Sequence, residues 1–418
     1  MSDPMKELFT AALGVESPWK VRAVRFEPEA KTIHFDLACD ATRLPCPACS
    51  APDQPIHDRL RRDWQHLHFF QYRALLHADV PRVRCARCGE QDGPDVKQVA
   101  VPWARERSGF SLLFEAMIVT LAGMSKLPVR QIGALLGVSE GRLWRSLGAL
   151  VEQAHAQADM SEVNAVGIDE KHIGRGRVVT VVHEAEGPCR VLHVSEGAKA
   201  ANVAQFADAL REHGGDPARI ERCTLDMGKH FIAGVNSSMP QAEQCFDPFH
   251  IIKLANEAVD AVRRAEVAEH PELKRTRYLW LKDASDWSER EIGLHWLRSS
   301  RLKTARGWRL KESLRDILQG RHCPNVPVVT LLEGWIRWAR RSRLEPFKRL
   351  GKTLRQHWDG VCNMLRHANS NARAESINAD IQAAITRARG FRTFRNLRTV
   401  VYLLKAGLDL PNSPYARE

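Results

Sequence analysis

Val163-Asn164-Ala165-Val166-Gly167-Ile168-Asp169 and Ile220-Glu221-Arg222-Cys223-Thr224-Leu225-Asp226 are two largely apolar runs, each closed by an aspartate. Their aliphatic and β-branched residues suit strands. Between them lie two further strand-like runs, Arg177–His183 and Arg190–Val194, the former preceded by the turn Gly174-Arg175-Gly176. Ala200–His213 reads as a helix with Val203, Phe206, Ala207 and Leu210 on one face. A short helix at His230–Asn236 and a fifth strand at Ala242–Asp247 close the segment. The expected order is three strands, helix, strand, helix, strand. Short connections make the first three an antiparallel meander, whereas the last two require helical crossovers and run parallel.

A mixed five-stranded sheet of that order is the plan of an RNase H-like α/β fold. In it the first and fourth strands are neighbours, so Asp169 and Asp226 are expected side by side at strand ends. A third carboxylate, Glu375, lies in Asn371-Ala372-Arg373-Ala374-Glu375-Ser376-Ile377-Asn378, which reads as helix. Two aspartates on adjoining strands and a glutamate on a later helix form an oxygen-rich set suited to a pair of divalent ions, Mg²⁺ or Mn²⁺. Asp169 is expected to bridge both ions, with Asp226 and Glu375 each holding one. The 148 residues between Asp226 and Glu375 leave room for a helical insertion, at about residues 255–360, inside one catalytic domain. That stretch is helical in pattern and carries Trp280, Trp287, Trp296, Trp308, Trp335 and Trp338, which read as core residues.

The charge distribution points to the partner. The chain has 418 residues, a formal charge of +12 and a pI near 9.4, which favours a polyanion over a small neutral substrate. Residues 321–410 hold 17 Lys and Arg against 6 Asp and Glu, a net of +11 surrounding Glu375. A basic surface beside an acidic metal site suits a phosphate backbone. No apolar run approaches the roughly 20 residues needed to span a bilayer, and the N-terminus lacks a signal-peptide pattern. The expected location is cytoplasmic, on the nucleoid when bound to DNA. Thiols there stay reduced, so paired cysteines suggest metal before disulfide.

Cys46-Pro47-Ala48-Cys49 and Cys85-Ala86-Arg87-Cys88 form two Cys-x-x-Cys knuckles. Together they offer four thiolates for one structural zinc. The intervening gap needs a strand excursion, which Arg61–Trp64 and Tyr72–Val83 are able to supply; a further strand pair is expected across Val21–Leu37, turning at Glu27-Pro28-Glu29-Ala30. Cys39, Cys189, Cys223, Cys245, Cys323 and Cys362 stand alone and read as small core residues. After an apolar helix at Ser111–Met124 comes the run Pro128–Arg145. Its spacing of Val129, Ile132, Leu135 and Leu136, a break at Gly137, a plug at Val138 and a cap at Ser139 resemble a helix-turn-helix. An ordinary helical hairpin is the alternative. In the DNA-binding reading Arg130, Arg142 and Arg145, with Glu140, face the groove. The expected domains are a β-rich zinc module at 1–104, a helix-turn-helix at 105–160 and the RNase H-like domain at 161–410.

These stretches taken together resemble the ISL-three family of bacterial DDE insertion-sequence transposases along nearly the whole chain. Val166-Gly167-Ile168-Asp169-Glu170 resembles its first-Asp motif. Leu225-Asp226-Met227 with Phe246-Asp247-Pro248-Phe249-His250-Ile251-Ile252-Lys253 resembles its second-Asp region. Asn371–Asn378 with Ala388-Arg389-Gly390-Phe391 resembles its terminal motif and catalytic Glu. The resemblance implies a protein that binds terminal inverted repeats, cuts at the element ends and joins them to target duplex DNA, with synapsis by a homodimer. Asp247 and His250 belong to the resemblance without an assigned role: Asp247 either supports the site from behind or caps the following helix. Pro248 departs from the family's usual arginine, which bears on a DNA contact and not on a proposed ligand. A structure-specific nuclease of the same fold, or a catalytically inert domesticated regulator, are the alternatives to transposition.

Overall fold

The computed structural model describes residues 4–90, 95–124, 127–174, 176–282, 288–289, 292, 294–321, 326–367, 372–413 and 415, with the backbone alone at 372–375. The chain divides into two compact units, residues 1–155 with 408–418 and residues 156–407.

The first unit opens with helix α1 (Pro4–Ala12), which the sequence pattern did not reveal. Strands β1 (Trp19–Glu27) and β2 (Thr32–Cys39) form the expected pair, turning at 28–31. After the short β3 (Arg43–Leu44) come β4 (Gln54–Gln65) and β5 (Arg73–Arg84), twelve residues each, which fill the gap between the knuckles. The sheet order is β1-β2-β5-β4-β3, with β6 (Val96–Gln98) on β5. Period-two alternation sends Ile33, Phe35 and Leu37 from β2 and Leu76, Ala78 and Val80 from β5 into one core, closed by Trp19, Trp64 and Trp103 meeting edge to face.

Three helices follow: α3 (Leu112–Met124), α4 (Val129–Leu136) and α5 (Glu140–Ala156), with the short α2 (Ala86–Gly89) preceding them at the second knuckle. Gly137 ends α4 at φ +65°, a conformation that costs glycine little, and Val138 is buried as the plug of the turn. Gly133 lets the turn close: an added Cβ would sit 2.6 Å from the Val138 carbonyl. Glu115 of α3 is buried but fully engaged, bound by Arg105 through two nitrogens at 2.9 and 3.2 Å and by Ser108 and Ser146 hydroxyls. That network fastens α3 to α5, and a buried carboxylate is tolerated only with such partners.

The second unit carries the five-stranded sheet, β11-β10-β7-β8-β9. Its strands are β7 (Ala165–His172), β8 (Val178–Glu184), β9 (Val191–Glu196), β10 (Arg222–Leu225) and β11 (Glu243–Phe246), with α6 (Ala200–Glu212) and α7 (Lys229–Ser238) as crossovers. The β7–β8 and β8–β9 pairs are antiparallel, and β10 runs parallel to both β7 and β11. This is the expected RNase H-like order, with one correction. Asp169 does not end its strand, because Glu170, Lys171 and His172 continue β7 in hairpin pairing with Thr180, Val179 and Val178.

Helix α8 (Pro248–Glu266) leaves β11 and begins a helical region that includes α9 (Arg277–Leu281), α10 (Lys303–Leu318), α11 (Val328–Arg341), α12 (Glu345–Gln356) and α13 (Trp358–His367). One hydrophobic core runs from Val166, Ile168 and Leu225 in the sheet to Trp280, Trp335 and Phe347 in these helices. Gly360 in α13 permits the tightest approach to the sheet, since a Cβ there would lie 2.3 Å from the Phe246 ring. Trp280 and Trp335 are core as expected, but Trp296 and Trp338 are exposed at 53% and 41%. Helices α14 (Ala372–Arg387) and α15 (Phe394–Lys405) complete the unit.

Candidate active site

Asp169 and Asp226 meet through strand pairing. Ile168 and Leu225 are register partners on the parallel β7 and β10, so the next residue of each strand is Asp169 and Asp226, about one interstrand spacing of 4.8 Å apart in the backbone. Asp226 falls just beyond the end of β10, its side chain 40% exposed. Asp247 lies one residue past β11 at the next position along the same edge. Three aspartates therefore line one edge of the sheet, on three successive strands.

Asp247 does two things there. Its Oδ1 accepts a 2.7 Å bond from the Phe249 backbone N–H and so caps α8, with Pro248 fitted at the first helical position. Its Oδ2 lies 3.1 Å from His250 Nδ1, leaving His250 Nε2 3.9 Å from Asp226 Oδ2. Burial works against a charged His250, but the Asp247 bond and the charges of Asp226, Asp247 and Asp169 outweigh it and raise its pKa above the usual imidazole value. His183 of β8 responds the other way. Burial dominates and lowers its pKa despite the nearby Asp169 and Asp247 charges. Its ring covers Gly167, where a Cβ would come within 2.3 Å of it.

The helix bearing Glu375 reaches this edge through Asn378. The Asn378 side-chain amide donates to Asp169 Oδ2, and Lys171 Nζ donates to the Asn378 carbonyl at 3.2 Å. Asp169 Oδ1 accepts from the Glu170 N–H at 2.8 Å. Residue 375 is one turn N-terminal of Asn378 in α14, hence on the same helix face. The Glu375 side chain lies outside the described residues. Asn378 is the site residue that local sequence reading did not single out, although its three-residue offset from Glu375 was a usable signal.

The four knuckle cysteines converge in the first unit. Cys46, Cys49, Cys85 and Cys88 place their sulfurs within 4.8 Å of one another, with Cys46–Cys88 at 3.8 Å and Cys49–Cys85 at 3.5 Å. A tetrahedral zinc with Zn–S bonds of about 2.3 Å requires sulfurs about 3.8 Å apart, so the cluster fits the ion. Burial resists ionisation of Cys46, but backbone N–H groups of Cys49 and Ala48 outweigh it and bring the thiol down to about 6. Burial and the other thiols push Cys88 up to about 12. Of the isolated cysteines, Cys39, Cys223, Cys245 and Cys362 are buried, Cys189 is half-buried and Cys323 lies outside the described residues.

In the helix-turn-helix, Arg130 and Arg145 are exposed. Arg142 departs from the expected outward pose. Its guanidinium sits 4.6 Å from the Phe110 ring centroid and donates to the Gly109 carbonyl at 3.2 Å, which fastens α5 to the loop before α3. Glu140 is likewise engaged, accepting from Trp144 Nε1 at 3.2 Å.

A sheet edge lined by carboxylates, a zinc module and a helix-turn-helix together define a DNA-processing protein. Comparison with known families makes this specific. Residues 166–401 match a family described as transposase, 99–147 the helix-turn-helix domain of transposase family ISL3, and 43–88 the zinc-finger of transposase IS204/IS1001/IS1096/IS1165. The chain belongs to the ISL3 family of transposases. It is 28% identical over 443 residues to the transposase for insertion sequence element IS1557 of Mycobacterium tuberculosis, covering 96% of this chain and 95% of that one. It is also 24% identical to the transposase for insertion sequence element IS1001 of Bordetella parapertussis, covering 88% and 90%. The protein is a DNA transposase with a helix-turn-helix that supports DNA binding and a four-cysteine site that supports structural zinc. Among the described residues, no helix is long and apolar enough to cross a membrane.

Proposed function

We propose that Asp169, Asp226 and Glu375 are the catalytic carboxylates of this transposase and that they hold two Mg²⁺ or Mn²⁺ ions. One observation carries the reading: Asp169 on β7 and Asp226, the residue after β10, each follow the paired residues Ile168 and Leu225, and Asn378, one turn beyond Glu375, donates to Asp169. The donor set is all carboxylate oxygen, which suits these hard ions better than zinc. With ions bound, such a pair activates the attacking water or hydroxyl and stabilises the leaving oxygen of the phosphodiester. Asp169 would hold both ions, with Asp226 and Glu375 each holding one, and the ions would supply charge stabilisation at the phosphodiester. Asn378 fixes the orientation of Asp169. His250, anchored by Asp247, steadies the Asp226 carboxylate from behind.

The division of labour follows. Residues 1–104 form the zinc module, 105–160 the helix-turn-helix that recognises the terminal inverted repeats, and 161–410 the catalytic domain with its helical insertion. Arg130 on α4 and Arg145 on α5 contact the repeat DNA, and Arg142 braces α5. A homodimer brings two element ends together for joining to target DNA, in the cytoplasm. The test combines the full-length protein, Mg²⁺ and a labelled duplex carrying an end of its own element. Wild-type protein cuts at the end, whereas Asp226→Asn and Glu375→Gln bind the duplex and do not cut. Full cleavage by either variant removes that residue from the site, and cleavage of branched duplexes lacking the repeats would favour a structure-specific nuclease.

A further inference from the structure

We propose that a cleft at the far end of the Glu375 helix is a binding site for a backbone phosphate of the DNA being cut. The cleft has a volume of about 540 Å³ and forms where the β7–β8 hairpin meets the C-terminal end of α14 and the loop beyond it. Arg177, Arg389 and Arg392 line it, together with His172, Gln382 and Thr386, and no carboxylate does so among the described residues. The sequence reinforces the sign of the site, for no Asp or Glu occurs between Asp380 and Asp409.

The arginines are arranged for a ligand. Arg177 donates through one terminal nitrogen to the Phe391 carbonyl at 2.9 Å, which pins the loop to the hairpin. Its Nε is buried and has no hydrogen-bond partner among the described residues, so the guanidinium charge beside the cleft is not neutralised by a carboxylate there. Arg389 and Arg392 are exposed, and Arg389 is held at φ +52°, a backbone region that non-glycine residues adopt at some cost. One feature of the place opposes an anion: it adjoins the C-terminal, negative end of α14. That end amounts to roughly half a charge. Two of its last carbonyls are already satisfied, those of Ile385 and Thr386 by the N–H groups of Gly390 and Arg389. Three full guanidinium charges outweigh it, and guanidinium forks match phosphate oxygens.

Position fixes which phosphate. Residues 375 and 385 are ten apart on one helix, a rise of about 15 Å. Asp169 and His172 are three apart on one strand, about 10 Å. At a rise of about 3.4 Å per base pair along the duplex axis, a duplex lying along this line meets the cleft about three to four nucleotides from the scissile bond. This distance rests on the catalytic assignment above; the binding itself does not. The site gives the enzyme a sequence-independent grip that sets how far the strand lies across the carboxylates.

The experiment uses full-length protein and an element-end duplex, with Arg389→Ala/Arg392→Ala and Arg389→Lys/Arg392→Lys as paired variants. Zinc content and thermal melting verify folding. Each lost phosphate contact should flatten the plot of log affinity against log salt by about 0.9. The alanine pair is expected to flatten it by one to two such steps and to weaken binding at least tenfold in low salt, while the lysine pair retains most of the slope. Phosphate-ethylation interference, read in an Asp226→Asn background, should show a sensitive phosphate three to four nucleotides from the cleavage position that disappears in the alanine pair. An unchanged slope and interference pattern in the alanine pair overturns the site. A lost contact located elsewhere on the duplex keeps the site and refutes its placement, and cleavage by Asp226→Asn would refute the catalytic assignment alone.

Discussion

Asn378 provides a sharp test of the active-site reading, because it links the Glu375 helix to Asp169 through one side-chain bond. Replacing it by leucine keeps the branched shape at Cγ and removes the donor. The helix stays docked, since Lys171 binds the Asn378 main-chain carbonyl and that bond survives the change. A hydrogen bond to a charged group is worth about 1.5–3 kcal/mol, and each 1.4 kcal/mol is a tenfold change in rate. If the bond serves to align Asp169, Asn378→Leu cuts element ends roughly ten to a hundred times more slowly, with unchanged DNA affinity. Asn378→Asp goes further by setting a second carboxylate against the first. Like charges that close cannot both ionise easily, so one proton is retained to higher pH. The rising limb of the cleavage rate against pH then moves up by about one unit or more. The assay is single-turnover cleavage at saturating Mg²⁺ from pH 6 to 9, with a thermal melt of each variant beside it. The reasoning fails if Asn378→Leu cuts within twofold of wild type and Asn378→Asp gives a superimposable pH profile.

Three further outcomes follow from the packing and the metal site. Gly167→Ala sets a Cβ 2.3 Å from the buried His183 ring, which should cost about 1–3 kcal/mol as overpacking and lower the melting temperature of residues 156–407 by several degrees; an unchanged melt would mean the ring moves freely. Cys46→Ala/Cys88→Ala should abolish stoichiometric zinc, and the wild-type protein should lose its zinc progressively as pH falls because the thiolates must be protonated, both readable by metal analysis. His66, hydrogen-bonded to Ser111 and pulled down to about 4 by burial, stays neutral in the folded state where the unfolded chain already binds a proton. Stability is therefore full above about pH 6.5 and falls toward pH 4 by at most about 1.4 kcal/mol per unit, on the order of 3 kcal/mol altogether, and His66→Gln should flatten that loss in denaturant titrations.

Much of the second unit is legible in the sequence alone. Val163–Asp169 and Ile220–Asp226 advertise themselves as strands through aliphatic runs; connection lengths give the strand directions, and the RNase H-like plan sets the fourth strand beside the first. The zinc site was legible for a simpler reason: two Cys-x-x-Cys knuckles define a tetrahedral set whatever lies between them. Local pattern misjudged elements whose fate depends on neighbours. Asp169 read as a strand end because the apolar run stops there, but pairing with β8 carries the strand on through Glu170, Lys171 and His172. Local pattern also did not show that Arg142, expected to face the groove, packs over Phe110 and donates to the Gly109 carbonyl.

What the sequence by itself determined, then, is the order and kind of elements, the sign of the surface around Glu375 and the identity of the thiol ligands. These depend on residue type, short-range periodicity and fixed spacing. Only the tertiary structure decided which side chains meet at the carboxylate edge. Asn378 reaches Asp169 across 209 residues, and Arg177 reaches the Phe391 carbonyl across 214. Such contacts arise from how a late helix packs on an early hairpin. No local pattern encodes that docking, because it is set by the summed shape of the core between them.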